Sequence, residues 1–277
     1  MSFAHFLDQF PLAGLFVAII ILLVFFIELG FRYGVANLRN SVKAQTAQVR
    51  AIMGATLGLL AFLLAFTFSA AQTHYETRVD NMVEEARIAG TAFLQADYLD
   101  EPVKTRVKAL LYEYISDRLE IRRLIKQDRE PEVMALIRKA EDMQRELWRL
   151  SLGMGFEVRD AIEPKARNER FVLAVTELID IHNLRLHAAT MNRIPVIVWL
   201  TLFFSATMAM LVVGYQAGLT GKRSPVATVS MTIVFSAVMI LITDLDRPQM
   251  SLFEINNQLM INLHGKMGLE LGQSADG

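Results

Sequence analysis

One uncharged apolar stretch, residues 51–71, constrains this chain more than any other part of its sequence. None of its 21 residues is Asp, Glu, Lys or Arg. A helix of about 20 such residues crosses the ~30 Å hydrocarbon core of a bilayer. Residues 72–93 contain no Pro, and their apolar residues keep helical spacing up to Phe93. We therefore expect one long helix that continues from the membrane into water.

Three further stretches are apolar and long enough to span a bilayer. With the first stretch, the predicted spans cover about residues 11–30, 51–71, 195–214 and 225–243. For the first span we expect a retained transmembrane helix rather than a signal peptide, because the first basic residue, Arg32, follows the apolar run instead of preceding it. The sequence thus predicts an all-α integral membrane protein with four transmembrane helices and a long-helix extramembrane domain between spans 2 and 3.

The predicted domain organisation follows from this order. Residues 1–72 form an N-terminal transmembrane helix pair, and residues 73–193 form the extramembrane helical domain. Residues 194–245 form a C-terminal transmembrane pair, and residues 246–277 form an amphipathic helix and tail. A Ser-x-x-Glu capping box at Ser251 predicts the start of that last helix.

Composition excludes several classes of function. The chain is 53% hydrophobic and 21% charged, with a net charge of −1 that does not favour nucleic-acid binding. It has no cysteine, which excludes disulfides and Cys-based metal sites. The spans offer no HExxH or GxSxG motif and no paired carboxylates. We therefore expect no enzyme activity, no catalytic residues, no metal site and no cofactor.

Some polar features of the predicted helices have ordinary interpretations. His182 lies on an apolar helical stripe, which favours a hydrogen-bonded core histidine over a metal ligand. A basic run near the end of one helix is mixed with acids, which favours a solvated surface over an anion site. That run comprises Arg118, Arg122, Arg123, Lys126 and Arg129.

Two glycine pairs and one charge cluster concern the spans. Glycines four residues apart allow close approach of helices, and they indicate packing without establishing an oligomer. At the end of span 4, a boundary charge cluster predicts an ion pair, because unpaired charges are costly there. The glycine pairs are Gly30 with Gly34 and Gly54 with Gly58. The charge cluster comprises Asp244, Asp246 and Arg247. The expected basic partner of the two acids is Arg247, Arg193 or Arg185.

The short loops predict the orientation. The loops after spans 1 and 3 carry six basic residues and no acid, and the positive-inside rule places such loops in the cytoplasm. The charge count therefore predicts a multi-pass protein of the plasma (inner) membrane whose helical domain is extracytoplasmic. The six residues are Arg32, Arg39, Lys43, Arg50, Lys222 and Arg223.

Four stretches taken together resemble one family. They read LLAFTFSAA at residues 63–71, MVEEARIAGTAFLQADYL at 82–99, IHNLRLHAATMNRIP at 181–195 and DLDRPQMSLFEINNQ at 244–258. Over roughly residues 20–263 the chain resembles the bacterial bestrophin-like domain membrane proteins, and more distantly the bestrophins, which are pentameric ion channels. The likeness implies an oligomeric ion channel whose second span lines the pore. The candidate pore-lining residues are Phe62, Phe66, Thr67 and Ser69.

The resemblance also implies partners, and the chain departs from it in two respects. A channel of this kind is a homo-oligomer, a pentamer, in a lipid bilayer and carries inorganic ions. The calcium-holding Asn-Pro-Phe-Gly stretch of bestrophins is absent after span 4, and bestrophins keep their helical domain in the cytoplasm. The alternative function is a non-conducting membrane scaffold or sensor whose helical domain mediates oligomerisation or partner binding.

Overall fold

The chain is helical throughout the part that the structure describes. The computed structural model describes residues 10–37, 43–127, 129–153, 162–190, 193–247 and 257–272, and these contain no β-strand. The helices are α1 (Leu12–Ala36), α2 (Lys43–Gln95), α3 (Val103–Lys126), α4 (Glu130–Gly153), α5 (Ile162–Thr190), α6 (Val196–Thr220), α7 (Pro225–Asp246) and α8 (Gln258–Glu270), with a 3-10 turn at Ala96–Tyr98.

Four of these helices are long and apolar enough to cross a membrane. The prediction of four helices of membrane-spanning length and composition is therefore confirmed. The candidate spans are Leu12–Ala36, Ala47–Tyr98, Val196–Thr220 and Pro225–Asp246.

Helix α2 is a single α-helix of 53 residues. Its bounds, Lys43–Gln95, include the whole of the predicted helix over residues 51–93, so that prediction is confirmed. Gly90 does not interrupt the helix, because one Gly costs only about 1 kcal/mol relative to Ala within a helix.

The chain divides into two compact units. The first comprises Met1–Tyr75 and Asn192–Phe253, and the second comprises Glu76–Met191 and Glu254–Gly277. The division falls inside α2, so this helix contributes residues to both units. The C-terminal helix α8 belongs to the second unit.

The first unit has an apolar core built from α1, α2, α6 and α7. Apolar side chains at helical spacing meet there, because burial against neighbouring helices gives them dense van der Waals contact. Its fully buried members include Leu23, Leu60, Trp199, Leu202, Met210, Met239 and Ile242.

Within this unit, α1 and α6 approach each other through facing glycines. A Cβ atom added to Gly30 would lie 2.0 Å from the carbonyl oxygen of Leu211. One added to Gly214 would lie 2.0 Å from the carbonyl oxygen of Ile27. Real Cβ atoms do not come this close to backbone, so the contact requires glycine on both helices. The facing pairs are Gly30 with Gly34 on α1 and Gly214 with Gly218 on α6.

The second predicted glycine pair behaves differently. A Cβ atom added to Gly54 or Gly58 of α2 would meet no other atom within 4 Å among the described residues. The expected close packing is therefore confirmed for Gly30 and Gly34, while Gly54 and Gly58 lie on an open surface of the described chain.

The second unit has its own core, with α3 inside it. Leu111, Tyr114 and Ile115 of α3 are completely buried and belong to one cluster with Leu147 of α4 and Phe171 of α5. Met267 of α8 is buried in the same cluster, so the C-terminal helix packs on this unit. The predicted capping box at Ser251 lies outside the described residues.

Candidate functional site

A row of residues along α2 forms the first candidate site. Phe62 and Phe66 are 66% and 65% exposed, which is high for aromatic side chains. Gly54, Gly58, Phe62 and Phe66 follow one another at intervals of four residues, so they lie along the same side of the helix. Ser69, three residues after Phe66, is also exposed. The first unit thus presents an uncharged row of small and aromatic residues.

Thr67 does not belong to this row. It is only 2% exposed, and its Oγ1 donates a hydrogen bond of 2.7 Å to the carbonyl oxygen of Leu63. Successive residues of a helix differ by about 100° in direction, so Thr67 cannot share the direction of Phe66. The structure therefore brings Phe62, Phe66 and Ser69 together and places Thr67 in the packed interior of the first unit.

The predicted boundary charges are buried at the end of α7. Asp244, Asp246 and Arg247 are 1%, 2% and 4% exposed. Asp246 accepts a 2.9 Å hydrogen bond from the backbone N–H of Ile194, and its Oδ2 lies 3.7 Å from Nε of Arg193. The residues just before α6 are thereby tied to the end of α7.

Two other contacts belong to this cluster. His74 of α2 places its Nδ1 3.8 Å from Oδ1 of Asp246. Arg247 donates from Nη2 to the carbonyl oxygen of Phe10, at 3.0 Å. Arg185, an alternative partner suggested by the sequence, instead pairs with Glu85 in the second unit. The cluster joins segments that precede or end three of the candidate spans.

A buried charged network in the second unit was missed by the sequence analysis. Glu85 of α2 is completely buried and accepts a 2.9 Å hydrogen bond from Nε of Arg118. It also accepts hydrogen bonds from the hydroxyl of Tyr114 and from Arg185. Arg118 additionally contacts Nδ1 of His182. One carboxylate of α2 thus binds side chains of both α3 and α5.

Burial and neighbouring charges determine the ionisation states of the side chains in this network. Burial, and after it the charge of Arg118, lowers the pKa of His182 to about 4, so this imidazole is neutral at neutral pH. Burial lowers the pKa of Arg185 to about 10, which leaves its guanidinium charged. Burial raises the pKa of Tyr114, against the opposing charge of Arg118, so its phenol remains a hydrogen-bond donor. Two positive charges therefore share the carboxylate of Glu85.

These contacts correct one sequence interpretation and confirm another. Arg118 is 7% exposed, so assigning it to a solvated surface was wrong. His182 is 1% exposed and contacts Arg118, as expected of a hydrogen-bonded core histidine. A signal for Glu85 was available, since it lies between Met82 and Ala89 on the apolar stripe of α2, where an acid needs a buried partner.

Two further observations concern metal-binding groups and the shape of the second unit's surface. Among the described residues, no three His, Asp or Glu side chains are grouped closely enough to hold a metal ion. A groove of about 370 Å³ on the second unit is open to solvent. It is lined by Glu141, Gln144, Arg145, Trp148, Arg149 and Ile179.

These features define a helical protein with four apolar helices of membrane-spanning length. The sequence model of one family, described as the bestrophin-like domain, matches residues 18–255, which is most of the chain. The chain therefore belongs to the bestrophin-like domain family, and the resemblance found in its sequence is confirmed. Searches of the curated proteins and of the solved structures found no match.

Proposed function

We propose that this chain is the subunit of an oligomeric ion channel in the bacterial plasma (inner) membrane, with α2 of each copy lining the pore. The observation that carries the proposal is the exposed row on α2. The uncharged residues 51–71 of α2 present Phe62 and Phe66 outward, and these aromatic side chains are not used in the core of the first unit.

The side chains of this row suit a narrow conduction path. Rings of Phe62 and Phe66 from several copies would form an apolar constriction, which controls ion passage by dewetting. Ser69 would offer a hydroxyl beyond the constriction. Thr67 is omitted from the proposed lining because it is buried and its hydroxyl is bonded to Leu63.

The glycine pairs support assembly from several copies. Gly30 and Gly34 are covered within the chain by α6, whereas nothing described covers Gly54 and Gly58. An open glycine pair allows the helix of a second copy to approach closely. The proposed assembly is a homo-oligomer in the lipid bilayer, a pentamer by analogy with the bestrophins, and its cargo is inorganic ions.

We further propose that the second unit lies outside the bilayer on the extracytoplasmic side. The six basic residues in and beside the two short connections support this orientation, because positive charge is retained in the cytoplasm during insertion.

The double variant Phe62→Ala, Phe66→Ala tests the pore. Removing both rings widens an apolar constriction, so we expect ion flux into liposomes to rise severalfold above that of the wild type. A fluorescent ion-flux assay on reconstituted protein of known subunit number measures this. The matched control is Phe25→Ala, Phe204→Ala, which removes two rings that are 59% and 64% exposed on α1 and α6. The control should keep the wild-type flux.

A non-conducting scaffold or sensor is the second candidate function. The separate core of the second unit and its open groove favour it, because they provide a stable surface for a partner. Two results would contradict the channel and leave the scaffold or sensor. One is the absence of ion flux in both the wild type and the variant when the particles are intact. The other is a particle of only one or two copies.

A further inference from the structure

Two arginines share a single carboxylate at one end of the first unit. Nε of Arg32 lies 3.0 Å from Oε1 of Glu28, one turn earlier on α1. Nη2 of Arg223, in the turn between α6 and α7, lies 3.2 Å from the other carboxylate oxygen. The contact therefore joins the C-terminal part of α1 to the start of α7.

The orientation of Arg223 is fixed by an aromatic ring. Its Cζ lies 3.8 Å from the centroid of the Phe31 ring, within the range of a cation–π interaction. Stacking on a ring leaves the edge of a guanidinium, where its N–H donors lie, available to other groups. Arg223 is thus held in place before any ligand arrives.

This cluster lies where a phospholipid headgroup would be. Glu28 is the first charged residue after the apolar residues 12–27 of α1, and Arg223 comes two residues before α7 begins at Pro225. The cluster is therefore at the ends of candidate spans. The side chains of Arg32 and Arg223 are 77% and 56% exposed, and Lys222 beside them is also exposed.

The charge of the cluster favours an anion. Arg32 and Arg223 both contact the one acid, Glu28, and Lys222 precedes Arg223 in the chain, so these four residues carry an excess of two positive charges. Each guanidinium has five N–H donors. Arg32 bonds Glu28 through Nε, and Arg223 bonds it through Nη2. The remaining donors can bind phosphate oxygens in the bidentate manner typical of arginine.

From these observations we propose that Arg32 and Arg223 form a binding site for the phosphate of an anionic phospholipid at the membrane surface. Basic pockets between transmembrane helices bind such headgroups through the same chemistry. Glu28 lies within ion-pair distance of both arginines and competes with the phosphate for their donors, while Phe31 orients one of them.

Thermal unfolding of the full-length protein in a neutral detergent tests this site. We expect phosphatidylglycerol to raise the unfolding midpoint of the wild type by several degrees, and phosphatidylcholine or inorganic phosphate at the same concentration to leave it unchanged. The variant Arg32→Gln, Arg223→Gln should lose the shift. The control Arg123→Gln should retain it, because Arg123 is an exposed arginine paired with Glu120 in the second unit.

Three outcomes would overturn the proposal. They are an equal shift with phosphatidylcholine, an equal shift with inorganic phosphate, and a shift that persists in the double variant. If the double variant does not fold, Glu28→Gln decides, since it keeps both arginines and removes the competing negative charge. The concentration of phosphatidylglycerol that raises the unfolding midpoint should then be severalfold lower for Glu28→Gln than for the wild type. An unchanged or higher concentration would contradict the site.

Discussion

Glu85 is a completely buried carboxylate whose partners come from two other helices. Arg118 and Arg185 both donate to it, and Tyr114 supplies a third hydrogen bond. Removing one member of a buried ion pair is strongly destabilising, because the remaining charge is left without compensation in a region of low dielectric. Glu85 therefore compensates the charges of the two arginines that donate to it.

We predict that Glu85→Gln lowers the free energy of unfolding by about 3 kcal/mol or more. The amide keeps the size of the side chain but cannot neutralise two guanidiniums. Denaturant unfolding followed by circular dichroism measures the change. The neighbouring variant Glu84→Gln is the control, since Glu84 pairs with Arg87 on the exposed side of the same helix. Equal effects of the two variants would show that the network contributes little.

The environments of Arg118 and Thr67 could not be predicted from the sequence. Arg118 lies in a run of mixed charges in the sequence, and its partner Glu85 is 33 residues away on another helix. Pairing over such a separation depends on tertiary packing, which local charge patterns do not encode. Thr67 was grouped with Phe66 by its position along the helix axis, whereas its direction around the axis decides what it contacts.

The helices themselves were far more predictable. Uninterrupted apolar length identified the four candidate spans, and helical spacing without Pro identified the continuation of α2 to Phe93, two residues before its observed end. Which helices pack together was not predictable, because Gly30–Gly34 and Gly54–Gly58 have the same spacing in the sequence. Only the structure shows that the first pair meets Gly214 and Gly218 while the second pair is open.

The glycine contact between α1 and α6 predicts that alanine is tolerated poorly at Gly214 and well at an open glycine position. Gly214→Ala places a methyl group 2.0 Å from the carbonyl oxygen of Ile27, so α1 and α6 must separate. We expect a loss of about 1–3 kcal/mol in the free energy of unfolding, typical of overpacking. Gly265→Ala on α8 is the control, because an added Cβ there meets nothing within 4 Å and alanine favours helix. Unfolding in detergent should show Gly214→Ala as the less stable protein, and wild-type stability would argue against this contact.

The orientation of the protein in the membrane can be tested by labelling single cysteines. The chain has no cysteine, so one introduced thiol is the only site for a maleimide. We predict that an impermeant maleimide labels Gln127→Cys, in the second unit, on cells with an opened outer membrane. It should spare Ser224→Cys, in the basic turn between α6 and α7, and both positions are exposed. Lysed cells, in which both variants should react, are the control, and the reverse labelling would show the opposite orientation.

The glycine contact between α1 and α6 also has a consequence for biosynthesis. Gly214 is made 184 residues after Gly30. At roughly 5–20 residues per second, a ribosome needs on the order of 10–40 seconds to synthesise that interval. During this time α1 is present without the helix that covers its glycines, so lipid or the insertion machinery must occupy that surface. Assembly of the first unit therefore waits for the synthesis of α6, which leaves the ribosome long after α1.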